Sequence, residues 1–293
     1  MPGYRTDTSL PVKPIYRSND VDIPDDFLIS AVDDSKPITF TQIDFENSVL
    51  PEYTGAFAVV LDHVLSPSEC AKLIAMAEDS VTEEDKLDGS PWRPALVHVG
   101  GGYEVLSPNY RASDRIIWDN QEIVDRLWAR LQTVPHIKEK LISLSTADLL
   151  GGSRNDPSTL DFYRVNKRMR FLKYGEDQFF RPHCDSSYGE AVEDGGFVQT
   201  WFTLHLYLND SQQAVGEEAD LVGGATSFLS VDESRKMDVD PKAGRVLIFQ
   251  HMRLRHSGDD VMIGTKYTVR TDIMYRQRSD SVRHSSGRGL YPR

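Results

Sequence analysis

Two cysteines in 293 residues, Cys70 and Cys184, provide no disulfide framework. Neither stands in a metal-type Cys spacing, so both thiols are expected to be reduced. Long apolar runs are missing as well. No stretch approaches the length that spans a bilayer, and the opening Met1-Pro-Gly-Tyr-Arg-Thr-Asp has no signal-peptide core, so the expectation is a cytoplasmic protein without a membrane partner. Basic residues are in deficit: 33 Lys and Arg against 45 Asp and Glu leave a formal net charge of −12. That balance argues against a nucleic-acid partner, which needs clustered Lys and Arg, yet it leaves room for an anion held by one or two buried cations. No repeat or low-complexity tract stands out, and the oligomeric state is left open.

The informative stretch is Tyr174-Gly-Glu-Asp-Gln-Phe-Phe-Arg-Pro-His183-Cys-Asp185, answered much later by Leu-Arg-His256-Ser-Gly. Side chains of an extended segment alternate faces, so His183 and Asp185 project the same way and can close on one ion. Two imidazoles and a carboxylate on one face of a metal, with the other face open, form the ligand set of non-heme Fe(II) oxygenases. His256 would be the third ligand. Alone, His-x-Asp is a weak signal, because such a tripeptide arises by chance among eight His and many acids. A strand-like run, Gly244-Arg-Val-Leu-Ile-Phe-Gln250, delivers His256, and a turn leads from it into a strand that begins with Lys266.

At this length the chain can bury a substantial core as one domain with a decorated N-terminus. Residues 1–35, rich in Pro, Asp and Ser, read as an arm that wraps or is disordered. Residues 36–160 read as a buttress of strands and helices with lid loops. Strands fall at 37–43 and 56–61; a capping box, Ser66-Pro67-Ser68-Glu69, opens a helix over 67–80; a second helix covers 120–132; a long loop covers 145–160. Over 161–277, short strand signals at 161–174, 178–183, 200–209, 225–230, 244–249 and 265–275 argue for a mainly β sandwich or barrel with flanking helices. Residues 278–293 read as a flexible basic tail.

Taken in order, Tyr174-x8-His183-x-Asp185, Tyr207-Leu-Asn209, Gly223-Gly-x-Thr226-x-Phe228, Gly244 to Phe249, His256 and Gly264-x-Lys266 resemble the 2-oxoglutarate and Fe(II)-dependent dioxygenases of the prolyl 4-hydroxylase type, over about 57–277. The resemblance implies a double-stranded β-helix core of jelly-roll, cupin-like form. It implies Fe(II), 2-oxoglutarate and O2 as cofactors, with ascorbate a candidate reductant. His183, Asp185 and His256 match the metal ligands and catalytic centre. Lys266 matches the residue that takes the far carboxylate of the keto acid. Arg270, on the same strand face four residues on, departs from the pattern and is a second candidate for that carboxylate. Tyr207 matches a tyrosine that reaches the same group, and Tyr174 one near the C1 end. Arg170, His205, Thr203 and Arg111 are candidates for the substrate side. The implied reaction is hydroxylation of an unactivated C–H of a small-molecule or amino-acid-like substrate, with 2-oxoglutarate converted to succinate. The presence of Asp185 disfavours halogenation.

Other readings stay open at this point: a prolyl hydroxylase acting on a peptide or protein, a non-catalytic cupin-like metal-binding protein, or a zinc hydrolase, which would need a general base. Thr203, His205 and Tyr207 alternate with Leu204, Leu206 and Leu208, and the plain reading puts the leucines in the core and the polar set in water. For Lys266, Arg270 and Arg111 the plain reading is a surface ion pair.

Overall fold

The computed structural model describes residues 10–29, 36–150 and 158–278. Strands β1 (Thr39–Gln42) and β2 (Ala58–Asp62) lead into helix α1 (Pro67–Asp79). The capping box forms as expected: the Glu69 amide donates to Ser66 Oγ, the Ser66 amide donates to Glu69 Oε2, and Pro67 occupies the first helical position. Strands β3 (Arg111–Ala112) and β4 (Asp114–Asp119) precede α2 (Gln121–Leu131), which starts where Asn120 Oδ1 accepts from the Ile123 amide. A short helix, α3 (Pro135–Leu141), follows, which sequence periodicity did not reveal because it is only two turns long.

Leaving aside short strands of two to four residues at the periphery, the two main sheets are completed by β5 (Thr159–Val165), β6 (Arg168–Tyr174), β7 (Phe179–His183), β8 (Phe197–Tyr207), β9 (Thr226–Leu229), β10 (Lys236–Val239), β11 (Val246–Gln250), β12 (His256–Gly258) and β13 (Lys266–Gln277). A large antiparallel sheet runs β1-β2-β11-β8-β13-β6-β4, with β5 also on β13; a small one runs β10-β9-β12-β7-β3. From β6 onward the chain alternates between the sheets: β6 large, β7 small, β8 large, β9 and β10 small, β11 large, β12 small, β13 large. That winding is the double-stranded β-helix.

Both faces of the large sheet are covered. Outward, Met169, Phe171, Leu204, Leu206, Leu208, Val269 and Ile273 pack with Leu73 and Met76 of α1 and Ile123, Val124 and Leu127 of α2 in one core. Inward, toward the small sheet, Ala58, Tyr207, Leu247 and Phe249 pack with Phe228 and Val239. The polar alternates of β6, β8 and β13 therefore turn inward and line the interior, where Arg170 and Arg270 remain partly exposed. This overturns the plain amphipathic reading, because α1 and α2 take the face that would otherwise be the only core.

The span expected as one strand over 161–174 is two. Asn166 Oδ1 accepts from the Arg168 amide at a break in the ladder, after which β6 continues in the same direction along the edge of β13 that β5 pairs with. The expected 145–160 loop begins with a helical turn, Thr146–Leu150, and its residues 151–157 lie outside the described residues. Of the expected arm, residues 10–29 wrap the domain: Val12 bridges Glu104, the Tyr16 hydroxyl donates to Glu104 at 2.7 Å, and Phe27 and Leu28 are buried. Residues 1–9 and 30–35, and the tail beyond Arg278, lie outside the described residues. Among the described residues no helix is long and apolar enough to cross a membrane.

Candidate active site

β7 and β12 pair so that His183 and His256 stand directly opposite one another, with ring centroids 4.4 Å apart. Asp185 follows β7 and turns its carboxylate between them, Oδ1 3.7 Å from His183 Nε2 and Oδ2 3.6 Å from His256 Nε2. The three ligand atoms lie within 4.8 Å of one another, and among the described residues this is the group that could hold a metal ion.

Each imidazole is oriented by its own chain. His183 Nδ1 lies 2.8 Å from the Arg181 carbonyl and His256 Nδ1 lies 3.0 Å from the Leu254 carbonyl. A carbonyl only accepts, so both Nδ1 atoms carry the proton and both Nε2 lone pairs point at the shared centre. Protonation does not interfere: burial, and after it His256, pushes His183 down to about 3, and burial lowers His256. Burial alone would raise the Asp185 carboxyl, but Arg270 and the histidines hold it well below the ordinary carboxylate range. Thr203 Oγ1 donates to Asp185 Oδ2. Two neutral imidazoles and one ionised carboxylate, all preset, fit a divalent iron with positions left open.

The inward face of the large sheet is polar by register. Tyr174 of β6 stands opposite Lys266 of β13, Arg170 opposite Arg270, and His205 of β8 on the other side of Arg270. Two arginines in direct cross-strand register repel. Asp272, two residues along, resolves the conflict: its Oδ1 is 3.0 Å from Arg270 Nη2 and its Oδ2 is 3.0 Å from Arg170 Nη1. Arg270 also places Nη1 2.9 Å from Asp185 Oδ1. The residue raised as a second anchor for the keto acid is thus engaged by two carboxylates of the chain itself.

Lys266 differs. It is 2% exposed, and burial pushes its ammonium down to about 8. Among the described residues no carboxylate stands within ion-pair distance of its Nζ, which lies 5.1 Å from the Tyr174 ring and 5.9 Å from the Tyr207 ring. A buried ammonium without an acid is costly unless an anion joins it. Gly224 makes room for it: with φ at +71°, a Cβ there would meet Lys266 Cδ at 3.1 Å. The Gly-Gly-x-Thr-x-Phe segment thus belongs to the site rather than being only a turn.

One small cavity gathers the triad with Thr203, His205, Lys266, Arg270, Arg170, Arg111 and Tyr174. Tyr207 lies behind it, fully buried, its hydroxyl directed at the Val239 carbonyl. His205 Nε2 is buried without a hydrogen-bond partner, and burial together with Lys266 and Arg270 keeps the ring neutral. Phe180 and Phe249 also line this space and were not singled out in the sequence, and Thr226, read there only as part of a motif, lines it too. Asp272 was missed although its parity with Lys266 and Arg270 on β13 marked it. A larger hollow of about 630 Å³ between residues 42–46, 54–57 and 139–149 holds no comparable cluster among the described residues.

Residues 169–271 match the family model described as the 2OG-Fe(II) oxygenase superfamily. This segment of the chain belongs to that superfamily. The matched span runs from β6 to the middle of β13 and contains the triad and Lys266. By that match the segment is that of a 2-oxoglutarate-dependent iron oxygenase, an oxidoreductase. No curated protein matches the sequence. Among solved structures it is similar to a viral collagen prolyl hydroxylase from Paramecium bursaria Chlorella virus-1, at 19% identity over 74% of this chain and 95% of that one, with a TM-score of 0.42. It is similar to a Pseudomonas putida prolyl-4-hydroxylase at 18% identity over 86% and 100%, with a TM-score of 0.44. A non-heme alpha-ketoglutarate-dependent epimerase from nogalamycin biosynthesis is similar at 18% identity over 82% and 87%, with a TM-score of 0.41.

Proposed function

We propose that the chain hydroxylates an unactivated C–H of a small or amino-acid-like molecule, with His183, Asp185 and His256 holding Fe(II) and Lys266 anchoring the far carboxylate of 2-oxoglutarate. The observation that carries this reading is one cavity that contains both a preset two-His, one-carboxylate set and a buried ammonium with no acid of its own. A bare metal-binding scaffold has no need of the second feature. When bound, the iron and keto acid supply the oxidising power for the C–H bond, with decarboxylation of the keto acid to succinate.

The protein's share is placement. The Arg181 and Leu254 carbonyls fix both imidazoles, and Arg270 with Thr203 fixes Asp185. Lys266 sets the depth of the keto acid beside Tyr174, Tyr207 and Thr226, which flank its Nζ or line the same space. Phe180, which stacks on His183 at 3.7 Å between centroids, and Phe249, 4.7 Å from the His256 ring, exclude water from the ligand side. No side chain is required to move a proton. The test is turnover under isotopically labelled dioxygen: the reading expects labelled oxygen in both succinate and the hydroxylated product. Hydrolysis products without label would support a metal hydrolase instead.

A further inference from the structure

The cavity is lined by four cationic side chains, Arg111, Arg170, Lys266 and Arg270, against the single carboxylate of Asp185, in a chain whose net charge is −12. Such a local reversal has to be accounted for cation by cation. Arg270 has Asp185 and Asp272, and Arg170 has Asp272. Lys266 is matched, in the reading above, by the keto acid. That leaves Arg111.

Arg111 sits on β3, the edge strand of the small sheet, with Phe180 as its register partner. Its guanidinium lies over the Phe180 ring at 4.7 Å, and Phe180 in turn stacks on His183 at 3.7 Å. The order is guanidinium, phenyl ring, metal-facing imidazole. Its Nε is 3.3 Å from Ser113 Oγ, and its other polar neighbour is the Tyr174 hydroxyl. Burial moves it down to about 10; the Tyr174 hydroxyl opposes that shift, and the nearby cations Arg115, Arg270 and Arg170, all of its own sign, add to it. Arg115 does not share an acid with it, being paired with Glu104. Two cations of this cavity thus lack a carboxylate among the described residues, and 2-oxoglutarate, with one end on the metal and the other on Lys266, satisfies only one of them.

We propose that the primary substrate is itself a small carboxylate, bound through that group by Arg111 one aromatic layer away from the metal ligands. The inference rests on the oxygenase reading. Its chemistry is that of a planar fork accepting a carboxylate while its face is held by an aromatic ring. The short stack from Arg111 to His183 places the oxidised carbon a few bonds from the acid group, which suits a free amino or keto acid and not the interior of a peptide chain, where the carboxyl is an amide.

The experiment uses the whole chain, loaded anaerobically with Fe(II) and saturating 2-oxoglutarate, and acetate and acetamide as matched probes at fixed ionic strength. The charge-transfer band of the chelated keto acid is read first, then the melting temperature during each titration. Acetate should stabilise the wild type and acetamide should not, and Arg111→Gln should lose acetate affinity by about tenfold or more, as expected for one charge-assisted contact, while Arg111→Lys keeps part of it. Equal behaviour of the two probes, or an Arg111→Gln titration superimposed on wild type, overturns the proposal and leaves the oxygenase reading untouched. Absence of the band overturns both. A blocked prolyl peptide that binds wild type and Arg111→Gln equally well, and better than any acid, would place the substrate among peptides.

Discussion

Arg270 Nη1 stands 2.9 Å from Asp185 Oδ1, so the carboxylate proposed to face the metal is gripped from behind by a guanidinium whose other nitrogen holds Asp272 at 3.0 Å. The side chains of Asp185 and Asp272 are both nearly inaccessible to solvent and both are held well below the ordinary carboxylate range, although burial alone would raise them. Arg270 is thus the cation shared by both carboxylates, helped by the histidines at Asp185 and by Arg170 and His251 at Asp272.

Arg270→Gln should destabilise the metal-free protein by about 3–5 kcal/mol at neutral pH, the usual cost of breaking a buried pair from one side. The sign with pH follows from linkage. In wild type both carboxyls have depressed pKa values, so they contribute stability above the unfolded carboxylate range and lose it as pH falls. Without Arg270, burial is opposed only by the histidines at Asp185 and by Arg170 and His251 at Asp272, so both carboxyls move up and protonation on acidification relieves part of the variant's loss. Denaturant unfolding at neutral and mildly acidic pH should show the gap between variant and wild type shrinking; a gap that is absent at neutral pH would mean the pairing has no energetic consequence.

Lys266 should make keto acid binding pH-sensitive. Its folded pKa, about 8, lies below the unfolded value, so in the empty protein the strain of a buried charge is fully present below pH 8 and relieved above it. An anion prefers the charged form. The affinity for 2-oxoglutarate in wild type is expected to fall as pH rises through and beyond about 8, with bound anion moving the midpoint upward. Lys266→Arg should flatten that dependence, and Lys266→Ala should raise the 2-oxoglutarate requirement by tenfold or more at neutral pH. A Lys266→Ala enzyme with an unchanged requirement would remove it as the anchor.

Gly244 is where α1's entry meets the sheet. At φ +75° a Cβ there would stand 1.9 Å from the Leu65 carbonyl oxygen, while the Gly244 carbonyl accepts from the Val64 amide and its own amide donates to Tyr207. Gly244→Ala should lower stability by at least the 1–3 kcal/mol of a strained backbone, with the clash added. Thermal unfolding indistinguishable from wild type would show that this segment shifts freely.

Much of the site could be read in the chain itself because it is carried by short-range rules. The Ser66–Glu69 cap, the pairing of His183 with Asp185, and the common parity of Lys266 and Arg270 depend only on local geometry. What could not be read depended on distant packing. Whether Thr203, His205 and Tyr207 face water or the interior is decided by α1 and α2 covering Leu204 and Leu206. The partner of Arg270 is set by cross-strand register between β6, β8 and β13, and the approach of Arg111 to Phe180 by a two-residue strand too short to leave a periodic signal.

The most direct test of the account is spectroscopic and needs no substrate. Metal-free protein is given Fe(II) and then 2-oxoglutarate without oxygen, and the visible charge-transfer band of the chelated keto acid is recorded for wild type and Asp185→Ala. The account predicts the band in wild type and its loss in the variant. Wild-type protein that binds iron and shows no band on addition of 2-oxoglutarate would contradict it.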